Sequence, residues 1–188
     1  MLYPLFLAPR LNQGVYAMND YRSIIERLNL LPHPEGGYYR RNWQSQMQSE
    51  LRDPAGKILH PQRSAGSSIL YLLPSKEVSL WHRVNCDEMW HYYQGSTLRI
   101  HLLSGARGHE EMHLGMRLDM GELPQFAIPM GTWFCAEVAE EDSYTFCGCT
   151  LWPSFSYADF ELAEQQRLLD EFPAHADLIS RIFTKQNR

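Results

Sequence analysis

The chain has 188 residues, 44% apolar and 21% charged, which suits a single globular domain with room for a full core. Its net charge of −5 gives no basic footprint for nucleic acid or an anionic membrane, and no apolar run reaches the length of a membrane span. Aromatic content is 12%, with ten Tyr and five Trp, which favours strands and a ring-lined pocket.

Residues 1–17 read as an N-terminal extension, expected to be poorly ordered, ahead of one domain over 18–188. Met1 to Ala8 is apolar and Val15-Tyr16-Ala17 faintly imitates a signal-peptidase site. However, no basic segment precedes it, and Pro4 and Pro9 interrupt the stretch, so a cytoplasmic chain is expected. Asp20 can cap a helix over Tyr21 to Leu30, which Pro32 and Pro34 stop. His33-Pro34-Glu35-Gly36-Gly37 is a turn that could cover the mouth of a barrel, and Tyr38 to Trp43 reads as a strand.

Gln44 to Arg63 is polar and reads as a loop. Strands follow over Ser67 to Leu73, Val78 to Val84, Glu88 to Gln94, Leu98 to Leu103, Glu111 to Arg117, Gln125 to Ile128, Trp133 to Val138 and Ser143 to Thr150. Gly, Pro or acidic turns separate them. Short strands at even spacing indicate an all-β sandwich or barrel. After Pro153 two helices are expected, Phe160 to Glu171 capped by Asp159, and Ala174 to Phe183, both packed outside the barrel. The four cysteines, Cys86, Cys135, Cys147 and Cys149, lack zinc-knuckle spacing and read as free thiols.

The chemistry concentrates between Leu80 and Gly95. Alternation puts His82 and Val84 on one strand face, and Glu88, Trp90 and Tyr92 on one face of the next. If both faces point inward, His82 and Glu88 meet inside the barrel, where a carboxylate would orient the imidazole. His82-x-Val84-x3-Glu88-x6-Gly95 resembles the first cupin motif, G-x5-H-x-H-x3/4-E-x6-G, with Val84 at the second histidine. Pro129-Met130-Gly131-Thr132-Trp133-Phe134 resembles the P-x-G core of the second motif, with Phe134 at its histidine. The chain further resembles a branch of small cupins of undefined function. The resembling stretches are His33 to Arg40, Ser67 to Leu73, His82-Arg83 with Asp87 to Trp90, and Gly148-Cys149-Thr150 through Asp159-Phe160-Glu161-Leu162. Trp152-Pro153-Ser154-Phe155 departs from the branch's Pro-Gly-Phe.

The resemblance implies an all-β cupin jelly roll, a pocket in the barrel and a homodimer pairing through β-sheet. Two of the four metal ligands usual in cupins are missing. His82 and Glu88 supply two donors, and His91 is a third only if a bulge turns it inward, so no metal cofactor is expected. Two functions stay open ahead of a third, a metal-dependent cupin enzyme using His82 and Glu88. In a metal-independent isomerase or epimerase acting on a sugar or sugar nucleotide, analogy with metal-free cupin epimerases makes His82 the base, Glu88 its orienting carboxylate, and Tyr71 or Tyr39 the acid. In a metabolite-binding protein without turnover, Trp90, Tyr92, Phe134 and Glu35 contact a small polar or cyclic ligand. Arg83 is expected to pair with an acidic neighbour, whereas His101, His109 and His113 have no partner legible from spacing.

Overall fold

The computed structural model describes residues 20–52, 55–105 and 107–186, so the extension over 1–17 lies outside the described residues. Helix α1 (Tyr21–Leu28) is followed by strands β1 (Leu31–Pro32), β2 (Tyr38–Gln44), β3 (Gln48–Arg52), β4 (Ile58–Ser64), β5 (Ser67–Pro74), β6 (Val78–Val84) and β7 (Asp87–Gly95). Then come β8 (Leu98–Ser104), β9 (Gly108–Leu114), β10 (Gln125–Ile128), β11 (Trp133–Val138), β12 (Tyr144–Trp152) and β13 (Phe160–Leu162). Helices α2 (Gln165–Glu171) and α3 (Ala176–Gln186) end the described chain.

The strands build two antiparallel sheets in the orders β1-β2-β5-β12-β7-β10 and β13-β6-β11-β8-β9, with β3 and β4 as a separate hairpin. This is the expected jelly roll. Leu73, Trp90, Leu98, Ile100, Phe134, Ala136 and Cys147 from both sheets share one core. Period-2 alternation decides which side chains enter it. Along β5, Tyr71 and Leu73 point in, while Leu70 and Leu72 meet α1 on the outer face. Along β11, Phe134, Ala136 and Val138 point in, while Trp133 and Cys135 lie under α2 and α3 with Trp81, Leu168, Ile179 and Ile182. Every residue of β11 is buried, as a strand covered on both faces requires. All four cysteines are buried free thiols, and burial raises each of them, Cys86 to about 12. Among the described residues no helix is long and apolar enough to cross a membrane.

Three expectations need correction. The expected loop over Gln44 to Arg63 contains the β3–β4 hairpin. Most of its describable side chains are exposed, so no buried face imposes the alternation that identifies a strand. The helix expected from Phe160 starts only at Gln165. Residues Phe160 to Leu162 instead pair with β6, and the Ala163 N–H continues to the Trp81 carbonyl, satisfying an edge that would otherwise be open. Asp159 does not cap that helix. Its buried carboxylate takes the Arg63 guanidinium, which also donates to the Ser154 carbonyl. Finally, the strand expected at Glu111 to Arg117 runs from Gly108 to Leu114, because a 3-10 turn over Leu118–Met120 carries the chain toward β10. The other expected strands and α1 have boundaries within two residues of expectation, whereas α3 ends at Gln186, three residues beyond the expected Phe183. Asp20 caps α1 by accepting from the Arg22 N–H, and left-handed Asn29 ends it.

Candidate functional site

A cavity of about 290 Å³ opens at one end of the barrel. Inner positions of β6 and β7 supply His82, Val84, Glu88 and Trp90 to its wall, and β2 and β5 supply Tyr39 and Tyr71. The turn before β2 supplies His33, Pro34 and Glu35. That turn needs both of its glycines. Gly36 has φ 112° and Gly37 φ 72°, a region closed to most side chains. A Cβ on Gly36 would stand 2.1 Å from the Val78 carbonyl oxygen, and one on Gly37 would stand 2.6 Å from that of Leu72. The backbone thus settles onto the barrel. The Leu80 N–H donates to the Glu35 carbonyl at 3.0 Å, the Gly37 N–H to Glu77 Oε2 at 2.7 Å, and the Tyr71 hydroxyl to the Gly36 carbonyl at 2.8 Å. These bonds aim the Glu35 side chain inward.

His82 is held at both nitrogens. Nδ1 lies 2.6 Å from the Leu80 carbonyl oxygen and therefore carries hydrogen. Nε2 lies 3.2 Å from Glu35 Oε2, which Ser79 Oγ also approaches at 3.3 Å. Burial lowers the imidazole to about 3, while burial and the Glu88 charge push the Glu35 carboxyl well above the carboxylate range. Both shifts favour the uncharged form of each group. With Nδ1 donating to a carbonyl, the 3.2 Å contact requires one proton between His82 Nε2 and Glu35 Oε2. Phe134 packs against the His82 ring with centroids 4.0 Å apart.

Glu88 lines the same cavity from β7. Burial raises its carboxyl from 4.5 to about 7, partly offset by the Cys149 thiol and the Trp90 indole beside it. The Trp90 N–H is buried beside that carboxyl without a hydrogen bond of good geometry. His33 lies under the rings of Tyr39 and Tyr71, at 4.6 and 5.6 Å between centroids, and burial lowers it to about 4. Its Nδ1 accepts from the Glu35 N–H at 3.3 Å.

The structure therefore brings His82, Glu88, Tyr39, Tyr71, Trp90 and Glu35 to one cavity, with a changed division of contacts. The carboxyl against His82 Nε2 is Glu35, from the N-terminal turn, and not Glu88 from the next strand. The Tyr71 hydroxyl, expected as an acid, is committed to the Gly36 carbonyl, and burial raises it well above its usual value. Tyr92 does not line the cavity. It keeps its inward parity but packs on the core further along β7, where its hydroxyl donates to the Gly95 carbonyl. Phe134 is wholly buried behind His82 and does not line the cavity either. His91 faces the other side of β7, with Nε2 3.1 Å from Thr150 Oγ1. Arg83 pairs with Glu161 and stacks on Trp133. Sequence reasoning passed over His33, the Arg40–Arg41 rim and the lip of Phe155, Tyr157 and Phe160, whose rings lie 5.1 to 6.5 Å apart. The only signal for His33 was its place two residues before Glu35.

The cupin resemblance raises the question of a metal in this cavity, and the donors do not fit one. His82 spends one nitrogen on a carbonyl and the other on Glu35, and Val84 and Phe134 donate nothing. Among the described residues of the cavity, no three His, Cys, Asp or Glu donor atoms lie within 4.8 Å of one another.

A protein of Shewanella oneidensis is 34% identical, with a TM-score of 0.77 over 88% of this chain and 98% of its own. A hypothetical protein from Leishmania major is 30% identical, with a TM-score of 0.78 over 87% and 98%. No curated protein matches. A family model described as cupin superfamily (DUF985) matches residues 22–163, which include every side chain placed around the cavity, and the chain belongs to that family.

Proposed function

We propose that the barrel cavity binds a small polar, cyclic metabolite, and that its carboxyls move a proton on it in an isomerase-type reaction. The convergence of Glu35, Glu88 and His82 in one ring-lined cavity carries this reading. Glu88 is the transferring group. A carboxyl near 7 is close to equally able to take and to give a proton at neutral pH, which general acid–base catalysis requires. Glu35 with His82 is the second proton store, because carboxyl Oε2 and imidazole Nε2 lie 3.2 Å apart. His82 has no nitrogen left for substrate, so it positions and tunes Glu35.

The cavity is at the lower end of small-molecule sites, so it encloses one ring and leaves any larger substituent outside. Arg41 is exposed at the rim beside Arg40, which favours a ligand with an anionic group at the mouth and carbonyl or hydroxyl groups within. Phe155, Tyr157 and Phe160 offer faces for stacking.

Incubation with a panel of keto and aldehyde sugars and their acid derivatives in D₂O tests this. Mass spectrometry would show deuterium entering next to the carbonyl with the wild type. Glu88→Gln should slow exchange by about 10²- to 10⁴-fold while calorimetry still registers binding. Equal exchange rates in the two proteins would remove Glu88 from the chemistry. Binding by the wild type without exchange would leave a metabolite-binding protein without turnover.

A further inference from the structure

We propose that the outer face of the five-stranded sheet carries a binding site for one zinc-class divalent transition ion, made by His101, His109 and Glu111 and separate from the barrel cavity. Strands β8 and β9 pair so that His101 stands opposite Glu111, and Leu103 opposite His109. All of these point away from the barrel, on the side covered by α3. The donor atoms converge. His101 Nδ1 lies 3.2 Å from His109 Nε2 and 3.3 Å from Glu111 Oε2, and the three residues' ligand atoms all fall within 4.8 Å of one another. A tetrahedral ion with bonds of about 2.0 to 2.1 Å holds its ligands about 3.3 Å apart, so two edges of that figure already exist.

A second observation concerns the far side of the His101 ring. Nε2 faces Glu137 Oε1 at 3.3 Å. Glu137 is buried, and Arg181 at 2.8 and 2.9 Å, Lys185 at 3.2 Å and Arg99 at 3.6 Å surround it. A carboxylate in that position takes the Nε2 hydrogen and leaves the Nδ1 lone pair aimed at His109 and Glu111, as in carboxylate–histidine–metal arrangements. A lone pair 3.3 Å from a carboxylate oxygen repels it unless a positive charge lies between them. The His175 ring stands 5.6 Å from that of His109, close enough to approach as a fourth ligand. The Glu111 side of the cluster is open to solvent, which gives the ion a way in. Two imidazoles and one carboxylate suit zinc, nickel or copper better than magnesium or calcium.

Tag-free full-length protein, stripped with chelator and titrated with zinc chloride by calorimetry, should take up one equivalent, and magnesium chloride none. His109→Ala and Glu111→Ala should each weaken zinc binding at least tenfold, and Glu88→Gln in the barrel should leave it unchanged. Cobalt(II) should give the visible absorption of a tetrahedral nitrogen–oxygen site, lost in His109→Ala. Circular dichroism would confirm that both variants fold, which their placement on an edge strand favours. Absence of saturable binding at 100-micromolar zinc (about that level), or equal affinity in wild type and both variants, would overturn the site. In the first case two ring N–H groups on His101, Nε2–H donating to Glu137 and Nδ1–H to Glu111, would account for the geometry.

Discussion

Replacing Glu88 with Gln removes one titrating carboxyl from the barrel and preserves the shape of the side chain. In the folded wild type burial raises this carboxyl from 4.5 to about 7. The folded chain therefore holds a proton that the unfolded chain has released between those values. With the folded value above the unfolded one, the group's contribution to stability is complete below pH 4.5 and is lost as pH rises through about 7. A gap of about 2.5 units, at 1.36 kcal/mol per unit, amounts to about 3 kcal/mol. Urea denaturation of both proteins at intervals from pH 4.5 to 8 measures this. The stability of Glu88→Gln relative to wild type should rise by about 3 kcal/mol across the window, with the steepest change below pH 7. Burial, the largest cause of the Glu35 shift, is common to both proteins, and the smaller share that comes from the Glu88 charge is lost in the variant along with that charge. Curves that stay parallel within about 0.5 kcal/mol would show that the Glu88 carboxylate is well solvated, and would take with it the argument that this group is poised for proton transfer.

His33 works in the opposite direction. Its folded value of about 4 lies below the ordinary 6.5, so its contribution is present above pH 6.5 and is lost as pH falls toward 4. His33→Gln should flatten the acid limb of the stability profile by about 3 kcal/mol, read by urea denaturation between pH 7 and 4. Gly36→Ala combines φ strain with a methyl 2.1 Å from a backbone oxygen, and it threatens the hydrogen bonds that Leu80 and Tyr71 make to the turn. A loss of about 3 to 5 kcal/mol is expected. Gly121→Ala has a similar left-handed φ of 79° but nothing within 4 Å, so it should lose only about 1 to 2 kcal/mol. Equal losses in the two variants would mean that the turn does not rest on β6.

The barrel was legible because alternation is imposed by burial. Strands such as Val78–Val84 and Trp133–Val138 have the bounds their side chains announce, since one face or both must be dry. The β3–β4 hairpin was not legible, because an exposed ribbon held by backbone bonds leaves side chains unconstrained. The start of α2 was missed for a related reason. Asp159 has the chemistry of a cap, and only the approach of Arg63, 96 residues away in sequence, shows that it is used as an ion-pair partner. Alternation put His82 on one strand face and Glu88 and Trp90 on one face of the next, and the resemblance to the first cupin motif turned those faces into the barrel. The partner of His82 could not, because Glu35 arrives from a turn 47 residues earlier, and local periodicity says nothing about such a distance. His101, His109 and Glu111 were invisible as a set, because strand pairing brings them together from an unremarkable stretch of alternating residues.

The replacement of two donor positions by Val84 and Phe134 does more than subtract ligands. An imidazole at either place would bring polar surface and, when protonated, positive charge beside Glu88, and both effects would pull that carboxyl down. A valine and a phenylalanine do the reverse. They dry the wall, and Phe134 also packs on the His82 ring in an edge-type contact that holds its orientation. Glu35 then becomes the group that satisfies His82 Nε2, which would otherwise be a buried acceptor without a donor. The paired glycines, the lowered His82 and the raised Glu35 and Glu88 thus form one linked arrangement. Restoring a histidine at position 84 alone should lower the Glu88 carboxyl by adding polarity, without creating a metal site, because His82 would remain bound at both nitrogens.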